Sequence, residues 1–186
     1  QKMDVRVAQF NSGKMHNAIP RDGKFVIAVP ASEKETVRVD WNVFISEVEE
    51  EYHVTETGMV ASMQSADSQT VLPEDVAGRF VRALQAVDNG VFAICQDEAL
   101  ANMVETSSNI ASIVTEDDKI KVVASQRSNV MSNLDNQCNT IKALFELAGA
   151  EVEQNDGYPA WKMNPDSELT KTVVATYKRL FGKEPI

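Results

Sequence analysis

Along the chain, apolar and polar positions switch several times between a two-residue and a three-to-four-residue rhythm. Met3, Val5 and Val7 alternate with polar residues, and so do Phe25, Ile27 and Val29. That period predicts two half-buried strands. Asn11-Ser12-Gly13 between them has turn chemistry, and Pro30 ends the second strand. Ser32 and Glu35 then have the spacing of a capping box. After it, Val37, Trp41, Phe44, Ile45, Val48 and Tyr52 form one apolar stripe on a helix. Gly58 to Met63 reads as a short strand. Pro73 opens a second helix, with Val76, Phe80, Ala83, Leu84 and Val87 on one face and Asp88-Asn89-Gly90 as its stop.

Strand signals return at Val91 to Cys95 and at Met103 to Val114, although Thr106-Ser107-Ser108-Asn109 makes the centre of the latter polar. Asp117-Asp118 predicts a turn, and Ile120, Val122 and Ala124 alternate beyond it. Leu134, Cys138, Ile141, Leu144, Phe145 and Ala148 mark a third helix, closed by Gly149. A short strand should follow. The last helix runs from about Pro165, with Leu169, Val173, Tyr177 and Leu180 as its stripe and Gly182 as its stop. The strict strand–helix alternation of a doubly wound fold is missing. The expectation is an α+β fold: a mainly antiparallel sheet with helices on one face. A weak duplication into two ferredoxin-like half-units, residues 3–66 and 70–155, is open.

Composition narrows the function classes. The 186 residues are 43% hydrophobic and 25% charged, ordinary for a globular chain. The net charge of -10 repels phosphate backbones and argues against nucleic acid as a partner. No run is apolar for the roughly 18 residues a membrane span needs, so a membrane is not expected as a partner. Cys95 and Cys138 both lie in apolar-periodic segments, where a free thiol behaves as a small hydrophobe. Low cysteine use and no export signal point to a cytoplasmic protein. Gln1 in place of Met, with a strand beginning almost at once, suggests a fragment.

Self-contained catalytic chemistry is hard to find. His16 and His53 are the only histidines, with no H-E-x-x-H, no paired-Cys spacing, no nucleophile elbow and no phosphate loop. An enzyme built on Cys138 would require a reactive thiol that alkylation could detect.

Five segments carry a family resemblance. They are Phe10-Asn11-Ser12-Gly13-Lys14-Met15-His16-Asn17-Ala18-Ile19-Pro20-Arg21, then Val104-Glu105-Thr106-Ser107-Ser108-Asn109, then Gln126-Arg127-Ser128. Next come Phe145 to Val152, with Tyr158-Pro159-Ala160-Trp161 and Asn164-Pro165-Asp166-Ser167 beyond it. Last is Leu180-Phe181-Gly182-Lys183-Glu184-Pro185. In this order they resemble the Xaa-His (aminoacyl-histidine) dipeptidases of the di-zinc aminoacylase, carnosinase and carboxypeptidase superfamily.

The resemblance implies a lid domain inserted in a catalytic domain that holds two zinc ions. It places residues 1–156 in the lid and 157–186 in the segment returning to the catalytic domain. No metal ligand or catalytic residue is expected in this stretch, and alone it should be inactive. The implied partners are a dipeptide substrate, the catalytic domain of the same chain and a second copy in a homodimer.

By the same resemblance, Asn17 matches the hairpin asparagine that faces substrate. Its structural alternative is a turn asparagine bonding its own backbone. Arg127 matches an arginine suited to a dipeptide's C-terminal carboxylate, against a plain surface arginine at a strand end. Thr106 and Asn109 are candidates for the cleft, against a polar strand face in solvent. His16 departs from the arginine common at its position, and is read as an exposed hairpin histidine. The rival to the lid is a free-standing binding or dimerisation module. Coding sequence for H-A-G-L-E-C-G after Ile186 and His-x-Asp upstream would favour the lid; a stop codon would favour the module.

Overall fold

A computed structural model describes residues 3–67, 69–100, 102–116, 119–161, 164 and 166–185. The first strand, β1 (Arg6–Ser12), pairs antiparallel with β2 (Gly23–Ala28). Helix α1 (Lys34–Tyr52) follows a single 3-10 turn at Ala31–Glu33. Then come α2 (Glu74–Ala86), β3 (Gly90–Ile94), β4 (Val104–Thr115), β5 (Ile120–Ser128), α3 (Met131–Leu147) and α4 (Glu168–Phe181).

All five strands join one antiparallel sheet built around β4. One edge of β4 pairs with β5 from Thr106↔Ser128 to Thr115↔Ile120. The other edge is shared. β3 takes Val104 to Ser108, and β1 meets it at Ser12↔Ile113. Between these two partners the Ile110 N–H is satisfied by Asn89 Oδ1 at 2.8 Å, from the turn after α2. Side chains also complete the β1–β4 seam. Thr115 N–H donates to Asn11 Oδ1 at 2.9 Å, and Phe10 N–H donates to Thr115 Oγ1 at 2.8 Å. A buried backbone donor left without such a partner would be costly, which is why the polar Asn11 and Thr115 suit an otherwise apolar seam.

The helices α1, α2 and α3 lie on one side of the sheet. Ala83 of α2 and Ile141 and Phe145 of α3 form a buried cluster that packs on Val122 and Ala124 of β5. Rings continue the core sideways: Phe80 stands edge-on to Phe10, Phe10 stacks on Phe25, and Phe25 meets Trp41 of α1 at 5.9 Å. Fully burying a side chain such as Phe80 or Ile141 contributes about 1.5–3 kcal/mol. The α+β expectation is met, with an antiparallel sheet and helices on one face.

Several local expectations are corrected. Ser32 and Glu35 form no capping box: α1 starts at Lys34 with no side-chain cap, because the 3-10 turn already orders its entry. Residues 59–67 form neither strand nor helix, and Val60 is 89% exposed. No strand forms at 150–161. Asp117-Asp118 and Pro165 lie outside the described residues. The proposed half-units are unequal, since 3–66 supplies two strands and one helix while 70–155 supplies three strands and two helices.

α4 is capped at both ends, at Gly182 as the sequence predicts and at Ser167 rather than from Pro165. Ser167 Oγ accepts from Thr170 N–H at 3.1 Å, and Gly182 closes the helix at φ 70°. It buries none of its residues, and Leu169, Val173, Leu180 and Phe181 are all more than half exposed.

Candidate functional site

The two faces of the sheet differ, and strand alternation sorts the candidates between them. On β5, Val122 and Ala124 face the helices. Gln126 and Ser128 therefore share that side, and Val123, Ser125 and Arg127 point to the other. On β4, Ser108 accepts from Gln126 Nε2 at 3.3 Å and Thr106 shares a 2.9 Å hydroxyl bond with Ser128, which puts both under the helices. Ser107 and Asn109, paired with Arg127 and Ser125, belong to the open face.

Asn109 and Arg127 thus stand on the same face, on a diagonal of neighbouring strands. Asn109 is half-buried and Arg127 exposed. The β1–β2 loop reaches over this face: Asn109 Nδ2 donates to the Ala18 carbonyl at 2.9 Å. Ala18 N–H in turn bonds Met15 C=O at 3.4 Å, so His16 and Asn17 are the two central residues of a turn. Asn17 is exposed, one residue from the carbonyl that Asn109 holds.

The loop's base is closed by three contacts to Asp22. Gly13 N–H and Ser12 Oγ donate to its carbonyl at 3.2 and 3.1 Å, and Lys14 Nζ stands 3.3 Å from its carboxylate. Gly13, at φ +67°, lies against the bulge at Ala111. A shallow cleft at that base is lined by Gly13, Lys14, Lys24, Ile113 and Val114.

Three of the four candidates, Asn17, Asn109 and Arg127, therefore gather on one uncovered face. Thr106 does not join them. It is 4% exposed and sits under the helix layer with its hydroxyl engaged by Ser128. Its offset of three residues from Asn109 is odd, so the two cannot share a face of one strand without a bulge between them.

Other reactive groups lie elsewhere. Cys138 faces Gln126 Oε1 at 3.9 Å beneath α3, where burial, with Asp135 adding to it, pushes its thiol up. Cys95 accepts from Asn129 Nδ2. Nδ1 of His53 lies 2.7 Å from the Glu50 carbonyl at the end of α1. Among the described residues, no three His, Cys, Asp or Glu side chains converge as metal ligands. The set does not fit a zinc pair, and no step through a metal is assigned to it.

No family model matches the chain. It is 30% identical over 186 residues to the cytosol non-specific dipeptidase of Escherichia coli K12. Its fold matches the crystal structure of an aminoacylhistidine dipeptidase from Vibrio alginolyticus with a TM-score of 0.85, at 31% identity and over 98% of this chain. The chain is similar in sequence and in fold to these dipeptidases. It spans 38% of the first dipeptidase and 37% of the second, so it corresponds to one stretch of each.

Two features were missed by reading the sequence of this dipeptidase relative. One is the partner of Asn109, which lies 91 residues away. The other is Asn89, read as a helix stop and found also to satisfy the edge of β4. An asparagine beside a strand break is the available signal for the second.

Proposed function

We propose that this chain is the lid of a zinc dipeptidase that hydrolyses Xaa-His dipeptides in the cytoplasm. In this reading residues 1–156 position substrate and close the cleft, and 157–186 lead back to a catalytic domain that holds both zinc ions. The observation that supports it is that the hairpin turn carrying Asn17 is tied to Asn109 on the same open side of the sheet as Arg127, while α1, α2 and α3 cover the other.

The chemistry of those side chains suits a dipeptide. A guanidinium offers a planar pair of N–H donors that matches the two oxygens of a C-terminal carboxylate. A carboxamide donates to a carbonyl and accepts from an amine. Arg127 on the sheet and Asn17 on the turn tied to it can together orient a small peptide as the cleft closes and excludes water, which is how a lid assists a reaction without reacting itself. The exposed apolar stripe of α4 supports packing against the rest of the dipeptidase, and the exposed Val39, Val43 and Phe44 on α1 are available to the second copy of a homodimer. For the location, the Escherichia coli relative is a cytosol dipeptidase by name, and no described helix is long and apolar enough to cross a membrane.

The test compares the purified 186-residue chain with the longer polypeptide that carries it. The longer protein should hold zinc and cleave an aminoacyl-histidine, and the chain alone should do neither. A tight stoichiometric zinc site or dipeptide hydrolysis in the isolated chain would overturn the assignment. A free-standing module would be recognised by a stop codon after Ile186.

A further inference from the structure

We infer that Asn109 is a positioning residue that sets the pose of Asn17 by clamping the hairpin tip to the sheet; the inference rests on the lid reading for its consequence, not for its geometry. The loop from Gly13 to Asp22 is anchored at its base by Asp22, and those contacts do not reach its tip. Among the described residues, the bond from Asn109 Nδ2 to the Ala18 carbonyl is the tie between tip and sheet.

Backbone alone cannot supply that tie. Pro20 has no N–H, and it restricts Ile19 to extended conformations. The stretch from Ala18 to Pro20 is thus a poor ladder partner, and in place of a strand N–H a side-chain donor meets the Ala18 carbonyl. Asn109 is placed to give one. It lies on β4 where the strand passes from its pairing with β3 to its pairing with β1, and its side chain projects to the open face. With Ala18 held, the turn from Met15 to Ala18 is fixed at one end, and Asn17, at its third position, is presented in one orientation. With one N–H of the Asn109 amide held by Ala18, the effect of Asn109 on a bound dipeptide is inferred to pass through Asn17.

The geometry is tested on this chain by backbone relaxation. In Asn109→Asp, which keeps the shape but turns the donor into an acceptor facing a carbonyl, the amides of Lys14 to Ile19 should lose order while those of β4 and β5 do not. Asn109→Ala should do the same. Unchanged loop order in both variants overturns the clamp, and so does loss of order spread along the sheet.

The consequence is tested in the longer dipeptidase. Asn109→Asp should raise KM roughly fivefold, with a smaller change in kcat. Combined with Asn17→Ala it should add little. Full additivity would mean that Asn109 acts on substrate independently, against the inference. If Asn17→Ala alone leaves the kinetics unchanged, the substrate-contact reading fails, while the relaxation result still decides the clamp.

Discussion

Gly13 approaches Ala111 so closely that a Cβ on the glycine would stand 2.1 Å from the Ala111 carbonyl oxygen. This contact joins the root of the β1–β2 loop to the bulge of β4. It also needs a left-handed backbone, φ +67°, which side chains other than glycine's rarely accept. Gly13→Ala should therefore cost about 2 kcal/mol or more, from strain and overlap together. A urea midpoint measured by circular dichroism checks this. Gly58→Ala is the control: its Cβ would meet nothing within 4 Å, and the change should stay within about 0.5 kcal/mol.

Thr106 is a structural hydroxyl. Replacing it with Val keeps the shape and removes the bond to Ser128, whose oxygen still accepts from Val130 N–H at 3.0 Å. Thr106→Val should lower stability by about 1 kcal/mol. Dipeptide KM in the proposed longer enzyme should not move. A large rise in KM at unchanged stability would return Thr106 to the substrate face.

The layout of the fold was legible because apolar periodicity and breakers agree over long segments: Trp41 to Tyr52, Phe80 to Val87, Ile141 to Ala148. The polar centre of β4 was harder. Thr106 and Ser108 look like solvent-facing residues, but they face the first turns of α3, where Gln137 is also buried. Only the packing of α3 shows that this buried layer is polar at one end. Gly58 to Met63 failed as a strand for the opposite reason: β propensity counts only where a neighbouring edge exists. Asn17 and Arg127 could be named from resemblance, yet their common face follows from the register of β5 and from a bond between residues 18 and 109, which no local pattern encodes.

Cys138 should react slowly with iodoacetamide. Burial favours its neutral thiol over the thiolate, and Asp135 acts in the same direction. The alkylation rate should rise with pH along a curve displaced upward from that of a free cysteine. The sign for stability follows. Because the folded state raises this pKa, the folded chain is favoured while the thiol is protonated. That contribution falls away as pH climbs from the unfolded thiol value of about 8.5 through the folded one. A thiol reacting rapidly near neutral pH would contradict the buried environment and revive a catalytic cysteine.

The most direct test is the kinetics of Arg127→Ala in the longer dipeptidase proposed to carry this segment, with an aminoacyl-histidine and with its C-terminal amide as substrates. Losing a charged hydrogen bond to a carboxylate costs about 1.5–3 kcal/mol. If Arg127 binds the substrate carboxylate, kcat/KM for the acid should fall roughly 10- to 100-fold while that for the amide barely changes. Equal kinetics for the wild type and the variant on the free acid would contradict it.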